Sequence, residues 1–419
     1  MKFAAIDLST EAFERNPWPV YSALRARDPI HWSEEDRTFY LSKFRHVRQA
    51  MTSPDFTAEY PFRASRMVLG RTVLDLEGAS HQRLRGLTSA CFKPIAVESY
   101  AREVIAPVVG ALLDRLVPRG QIELMQDLAV QVPVLVMSRI LGIPDEHAAW
   151  IHEQLRPIIG YLEDPRTSLE GARVARQQLE GVLQRVIGDI QGDGETRSLI
   201  GRLAQARAAD ALSQAEMLQY LLLFLAAGTE TTTAAIGNLF VAILTHEGGW
   251  QRLRRDPGAI PAVVKESLRW EPPLHTTLRF TTRELRIDGI TLPRGAPVQL
   301  CLASANRDED QFDQPERWKP GRPEQTLMSF GAGSHICMGF SLAHKELEVL
   351  LELALQRIDD ISLEGADPPV IEGRVFRAPR TLPLRLRPRA ALPEAATGAA
   401  PLPAIKGESR NHGCPMKGA

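Results

Sequence analysis

Phe330-Gly331-Ala332-Gly333-Ser334-His335-Ile336-Cys337-Met338-Gly339 is the stretch on which the reading of this chain turns. Two glycines permit a tight loop, and one cysteine stands where apolar spacing over 338–357 predicts that a long helix begins. Backbone N–H groups and the positive end of the helix dipole would favour a thiolate at Cys337, as a permanently ionised metal ligand requires. Gly339 would let the backbone approach something flat and bulky, and Phe330 would pack on its near side. A lone cysteine in a Gly-rich turn is more often an inert buried residue, so the rest of the chain has to decide.

The whole chain bounds the answer. It has 419 residues, a formal charge of −1 and an apolar fraction of 44%, all ordinary for a soluble globular protein. That balance argues against a protein that works by wrapping nucleic acid or an anionic membrane. Cys91, Cys301, Cys337 and Cys414 lie far apart, with no CxxC pair, which excludes a zinc ribbon and does not fit a disulfide scaffold. The N-terminus carries no secretory pattern, and the most apolar run, 221–227, is too short to span a bilayer. The expectation is a soluble, cytoplasmic protein.

Helical spacing dominates. It predicts helices over 81–117, 124–141, 145–160, 168–191 and 258–270, and one very long helix over 213–245 opened by a Ser213/Glu216 capping box. Short strands are expected at 278–282, 285–287 and 298–300. The Pro-, Asp- and Gly-rich 303–335 reads as irregular yet packed, and the Ala/Pro-rich 390–419 as a disordered tail behind a single domain, 1–389.

Three further patterns bear on chemistry. Glu266 and Arg269 share one helical face at i, i+3, a pair that is usually a solvated bridge of little energetic worth. Ala227-Gly228-Thr229-Glu230-Thr231-Thr232 falls in the middle of the longest helix, although Gly and Thr are poor central helix formers. A Thr hydroxyl there can bond a preceding carbonyl and bend or open the helix. His81 and Arg85, at i, i+4, would most simply be a surface pair.

Taken together, these residues resemble the cytochrome P-450 family. The loop matches its heme-binding signature FxxGxxxCxG at every fixed position, and the likeness runs over roughly 10–388. The resemblance implies a mainly α fold with a minor β part, a triangular helical prism whose long helix crosses above a heme. It implies heme b held by Cys337, with Phe330, Gly331, Gly339 and Ala227 against the ring and His81, Arg85, Arg279 and His335 on its propionates. Glu230 and Thr231 would be the acid–alcohol pair that manages protons for O2 activation, and Glu266, Arg269 and Arg317 a buried clamp. Phe62, Met67, Val68, Leu69, Leu223, Ala226, Leu274, His275, Thr276 and Thr277 would line the substrate pocket, with His275, Thr276 and Thr277 as polar anchors.

The implied activity is insertion of one oxygen atom of O2 into a small, largely apolar organic molecule. Electrons would come from NAD(P)H through a ferredoxin or flavodoxin and its reductase, because no flavin or iron–sulfur module is present. The partner would dock near the cysteine loop of a monomer, with Arg83, Lys93 and Lys345 as weak candidates for steering it. A peroxygenase, isomerase or dehydratase of the same fold and a non-catalytic heme sensor are the rival readings; neither accounts as well for Glu230-Thr231. The tail pair Cys414-Pro415 reads as chance rather than regulation.

Overall fold

Ser213 starts the longest helix, Gln214–Thr245. Its Oγ accepts the Glu216 N–H at 3.2 Å, and Glu216 Oε2 accepts the Ser213 N–H at 2.9 Å, so two otherwise orphaned donors are satisfied reciprocally. These and the following details come from a computed structural model that describes residues 8, 10–193, 198–365 and 367–390. The reading of the 390–419 tail, with Cys414-Pro415, lies outside the described residues except for Ala390.

The long helix is apolar on nearly every side and is therefore buried among other helices: Gln131–Leu141, Leu169–Asp193, Leu199–Ala208 and Ile260–Trp270 all pack on it. Gly228 leaves room for the tip of Met137, so that this helix and Gln131–Leu141 pack closely. The helix Phe340–Arg357 packs on Ala106–Leu116 and Ile260–Trp270.

The helical stretch expected over 81–117 is divided. Gly78–Ser89 ends ahead of Lys93-Pro94, and one wide turn, Ala101–Ile105, precedes Ala106–Leu116. Proline explains the first break, since Pro94 opens a new helix and cannot continue the old one. The other expected helices stand within a few residues of their predicted ends.

The sheet part is larger than expected. Five strands run in the order Ile30–Ser33, Thr38–Leu41, Pro297–Cys301, Thr276–Thr281 and Phe56–Thr57. Only the pairing of Thr38–Leu41 with Pro297–Cys301 is parallel. A three-stranded sheet joins Gln121–Glu123, Pro383–Pro388 and Ile358–Leu363. Leu285–Ile287 pairs with Ile290–Leu292 across Asp288 and Gly289, both at positive φ, as a tight two-residue hairpin requires.

The irregular 303–335 is packed as expected and is fastened by the predicted clamp, with one correction. Glu266 and Arg269 are buried, and Arg269 Nε and Nη2 donate to the two Glu266 oxygens at 2.8 Å each. Arg269 also donates to the carbonyls of Asn306, Pro315 and Arg317. The second cation on Glu266 is Arg322, whose Nε reaches Oε1 at 2.9 Å, not Arg317. Arg317 is exposed and lends only its carbonyl, because the chain turns its side chain outward before Trp318.

Candidate active site

The cysteine loop is built from that clamp outward. Asn306 donates to Ser329 Oγ at 2.8 Å and accepts the Met328 N–H at 2.7 Å, which seats the loop against Ile260–Trp270 through Ser329 and Leu268. Gly331 and Gly333 both have φ near +70°, and a Cβ on Gly333 would meet the Met51 carbonyl at 2.4 Å. The loop then returns so that Cys337 N–H donates to Phe330 O at 2.8 Å. Phe330 packs edge-on to Phe340 and tilted to His344 on the following helix.

Cys337 precedes Phe340–Arg357, and its sulfur accepts the N–H groups of Gly339 and Phe340. Burial nevertheless dominates and pushes the thiol up; the Gly339 N–H, the Arg85 charge and the Phe340 N–H oppose it without winning. A coordinated metal would favour the thiolate at this sulfur. Cys337 also keeps a large accessible surface.

Cations gather beside the loop. The rings of His81 and His335 are 4.5 Å apart, His335 lies 3.1 Å from Glu77, and Arg85 Nη2 donates to Ile336 O at 2.6 Å. Burial lowers Arg279 to about 10, helped by the nearby charge of Arg63 and opposed by Glu77. Burial works against ionisation of Glu77, but the His335 hydrogen bond and the Ala58 N–H hold it at about 2. Arg63 and Glu77 escaped the sequence reading, because neither belongs to a spaced motif; Arg63 is fixed by the carbonyls of Ala58 and Leu74.

On the long helix, Thr231 Oγ1 donates to Ala227 O at 2.8 Å and Thr229 Oγ1 to Leu225 O at 2.7 Å. The helix runs on through these residues, so the expected opening is not a break in it. Ala227 is exposed and Gly228, Glu230 and Thr231 half-buried, although both flanks of the helix are buried. A narrow accessible stripe in the middle of a buried helix is a second wall suited to a flat group.

These residues fit an iron porphyrin. One accessible cysteine sulfur stands at the start of a helix, a cluster of Arg and His suits two carboxylates, and His81 Nε2 is buried with no hydrogen-bond partner among the described residues. Comparison with known proteins decides the matter. The family model for cytochrome P-450 matches residues 259–383. Vitamin D(3) 25-hydroxylase of Pseudonocardia autotrophica is 30% identical over 407 residues, covering 92% of this chain and 97% of that protein.

The chain belongs to the cytochrome P-450 family.

A second relative, the cytochrome P-450 monooxygenase PikC of Streptomyces venezuelae, is 29% identical and covers 90% of this chain and 92% of its own. Among solved structures, a cytochrome P-450 in complex with acyl carrier protein carrying hexadec-9Z-enoic acid superposes with a TM-score of 0.84. It is 28% identical and covers 90% of this chain and all of its own. The family brings a heme–thiolate cofactor and O2.

As a cytochrome P-450, the chain departs from expectation in its pocket. Val68, Leu69, Leu223 and Ala226 are buried in the main hydrophobic core, whereas Met67, Leu274, Thr276 and Thr277 keep some accessible surface. Phe62 is 76% exposed and leans on Tyr60. His275 is no pocket anchor. It is fully buried, 3.2 Å from Glu271 and packed against Trp18 and Tyr21; burial lowers its pKa to about 4. Its ring turns instead to Glu271 and to the N-terminal helix Trp18–Arg27. Of the cations expected to steer a partner, Arg83 is occupied by Glu216 and Ala211 O, and Lys345 by Glu98 and Glu348. Among the described residues, no helix is long and apolar enough to cross a membrane.

Proposed function

We infer that this cytochrome P-450 is a monooxygenase of small, largely apolar organic molecules, hydroxylating or epoxidising them. The observation that carries this reading is the accessible stripe of Ala227, Glu230 and Thr231 in the buried middle of the long helix. A heme held only for structure or sensing would need no acid and alcohol there. The relatives that are named as a hydroxylase and a monooxygenase support it.

Cys337 would hold the iron of heme b, while His81, Arg85, Arg279 and His335, with Arg63 behind them, would bind its propionates. When bound, the heme activates O2 and supplies the oxygen atom that enters the substrate. The remaining steps fall to the chain. Thr231 spends its proton on Ala227 O in the resting arrangement and keeps its acceptor lone pairs, so it can hold a proton donor in place. Glu230 would feed protons to that hydroxyl from outside. Met67, Leu274, Thr276 and Thr277 would orient the substrate and exclude water. Electrons would reach the site from NAD(P)H through a ferredoxin or flavodoxin and its reductase, with the protein acting as a monomer in the cytoplasm.

The test is the ratio of oxygenated product to NADPH consumed. Thr231→Ala is expected to bind substrate and accept electrons normally but to release hydrogen peroxide in place of product. Glu230→Gln is expected to slow oxygen consumption and enlarge the solvent isotope effect at unchanged heme content. A wild-type ratio in both variants would overturn the reading.

A further inference from the structure

We propose that Asn238 is a positioning residue that fixes two substrate-side segments at a set distance from the acid–alcohol pair. Its Nδ2 donates to the carbonyl of Glu271 at 3.2 Å and to that of Arg377 at 3.0 Å. One amide nitrogen of the long helix thus grips two chain segments far apart in sequence. The proposal rests on the monooxygenase reading for what those segments do.

The two segments are themselves one unit. Leu274 and Phe376 form an antiparallel bridge, His275 N–H donates to Val375 O, and Arg377 N–H donates to Pro273 O, both at 2.9 Å. Beneath them lies a buried cluster in which Glu271 meets Arg377 at 3.2 Å, His275 at 3.2 Å and Arg307 at 3.8 Å. Arg377 further ties down the carbonyls of Gly373 and Ile371, at 2.6 Å each. The unit is bonded within itself, so its place relative to the long helix is set where it touches that helix.

Asn238 is that point of contact. The neighbouring Gly237 admits the unit so closely that a Cβ would lie 2.7 Å from Met125 Sδ and 2.9 Å from Pro379 Cδ. Asn238 is itself 1% exposed, and its Oδ1 has no hydrogen-bond partner among the described residues. A residue retained only to fill space would be apolar, because an unpartnered buried carbonyl is unfavourable. Its two donors are the reason for an amide here. Asn238 also follows Thr231 by seven residues, two turns along the same helical stripe and about 10 Å away. The grip therefore sets how Leu274, Thr276 and Thr277 stand relative to Thr231.

The test uses the heme-loaded protein and two iron-binding azoles, imidazole and 4-phenylimidazole, whose aryl arm reaches beyond the iron. Asn238→Leu keeps the branched shape and removes both donors. It is expected to speed amide exchange in peptides over 271–277 and 373–379 together, with 331–340 at the wild-type rate. It is expected to weaken 4-phenylimidazole about tenfold while imidazole stays within about twofold. Asn238→Ser, which keeps one donor, should lie between and takes the place of the leucine variant if that fails to fold. Equal loss of both azoles, or exchange unchanged in either segment, overturns the proposal. Neither measurement involves turnover, so failure of the monooxygenase reading, which would show in the Thr231→Ala product ratio, is read separately.

Discussion

Gly333 is the residue on which the cysteine loop depends most sharply. Its positive φ alone makes a left-handed L-residue cost roughly 1–2 kcal/mol, and the Met51 carbonyl leaves a Cβ no room. Gly333→Ala is expected to lower the thermal midpoint and the yield of heme-loaded protein, whereas Gly339→Ala should do neither as strongly. Gly339 has φ −83°, and its added Cβ would sit 4.0 Å from Cys337 Sγ, an ordinary contact. Heme content per milligram of purified protein checks the order. Cys337, His81, Arg85 and Thr231 were legible in the sequence because each sits in a spaced motif. His275 was misread because its neighbours suggested a pocket, and burial among Glu271, Trp18 and Tyr21 is a tertiary fact that no local pattern carries.

Among the elements, the long helix was the easiest to read, since its capping box and continuous apolar character both belong to local sequence. The hairpin Ile30–Ser33/Thr38–Leu41 and the sheet of Gln121–Glu123 with Pro383–Pro388 were not read. Their strands are short, and although Ile30–Ser33 pairs locally, Thr38–Leu41 and Gln121–Glu123 join their sheets through partners over 200 residues away. The clamp lies between these cases. Glu266 and Arg269 share one helix and could be paired from spacing, but Arg322 reaches Glu266 across 56 residues of chain. Arg322→Ala is expected to destabilise the folded protein by roughly 1.5–3 kcal/mol through the lost charged hydrogen bond. Arg269→Ala should cost more than Arg322→Ala, because Glu266 keeps only Arg322 and the carbonyls of Asn306 and Pro315 lose their buried donor. Arg317→Ala, whose side chain is outside, should unfold at wild-type denaturant concentration. Equal midpoints for the Arg317 and Arg322 variants would return the third position of the clamp to Arg317.

At the scale of the whole molecule, two carboxyls set opposite limbs of the pH profile. Burial pushes Glu346 up to about 8, above the ordinary 4.5, so the folded state keeps a proton that the unfolded chain releases. Its contribution is intact below about 4.5 and is lost as pH rises towards 8. Glu346→Gln is therefore expected to raise the thermal midpoint at pH 8 and to leave it nearly unchanged at pH 5. Glu77, held at about 2, works the other way: its contribution is present above about 4.5 and drains away as pH falls towards 2. Glu77→Gln should flatten the acid limb alone, which a melting series from pH 3 to 8 would show. A third consequence comes from the irregular stretch, whose carbonyls at Asp313, Gln314, Pro315 and Arg317 are taken up by the guanidinium groups of Arg269 and Arg322. Arg317 is exposed, tryptic in sequence because Trp318 follows it, and free of helix or strand. A protease must draw such a peptide out into an extended shape before cutting it, and here that means pulling it off two buried cations. Resistance to nicking after Arg317 would thus report that the clamp has closed, in a newly made chain that as yet has no colour.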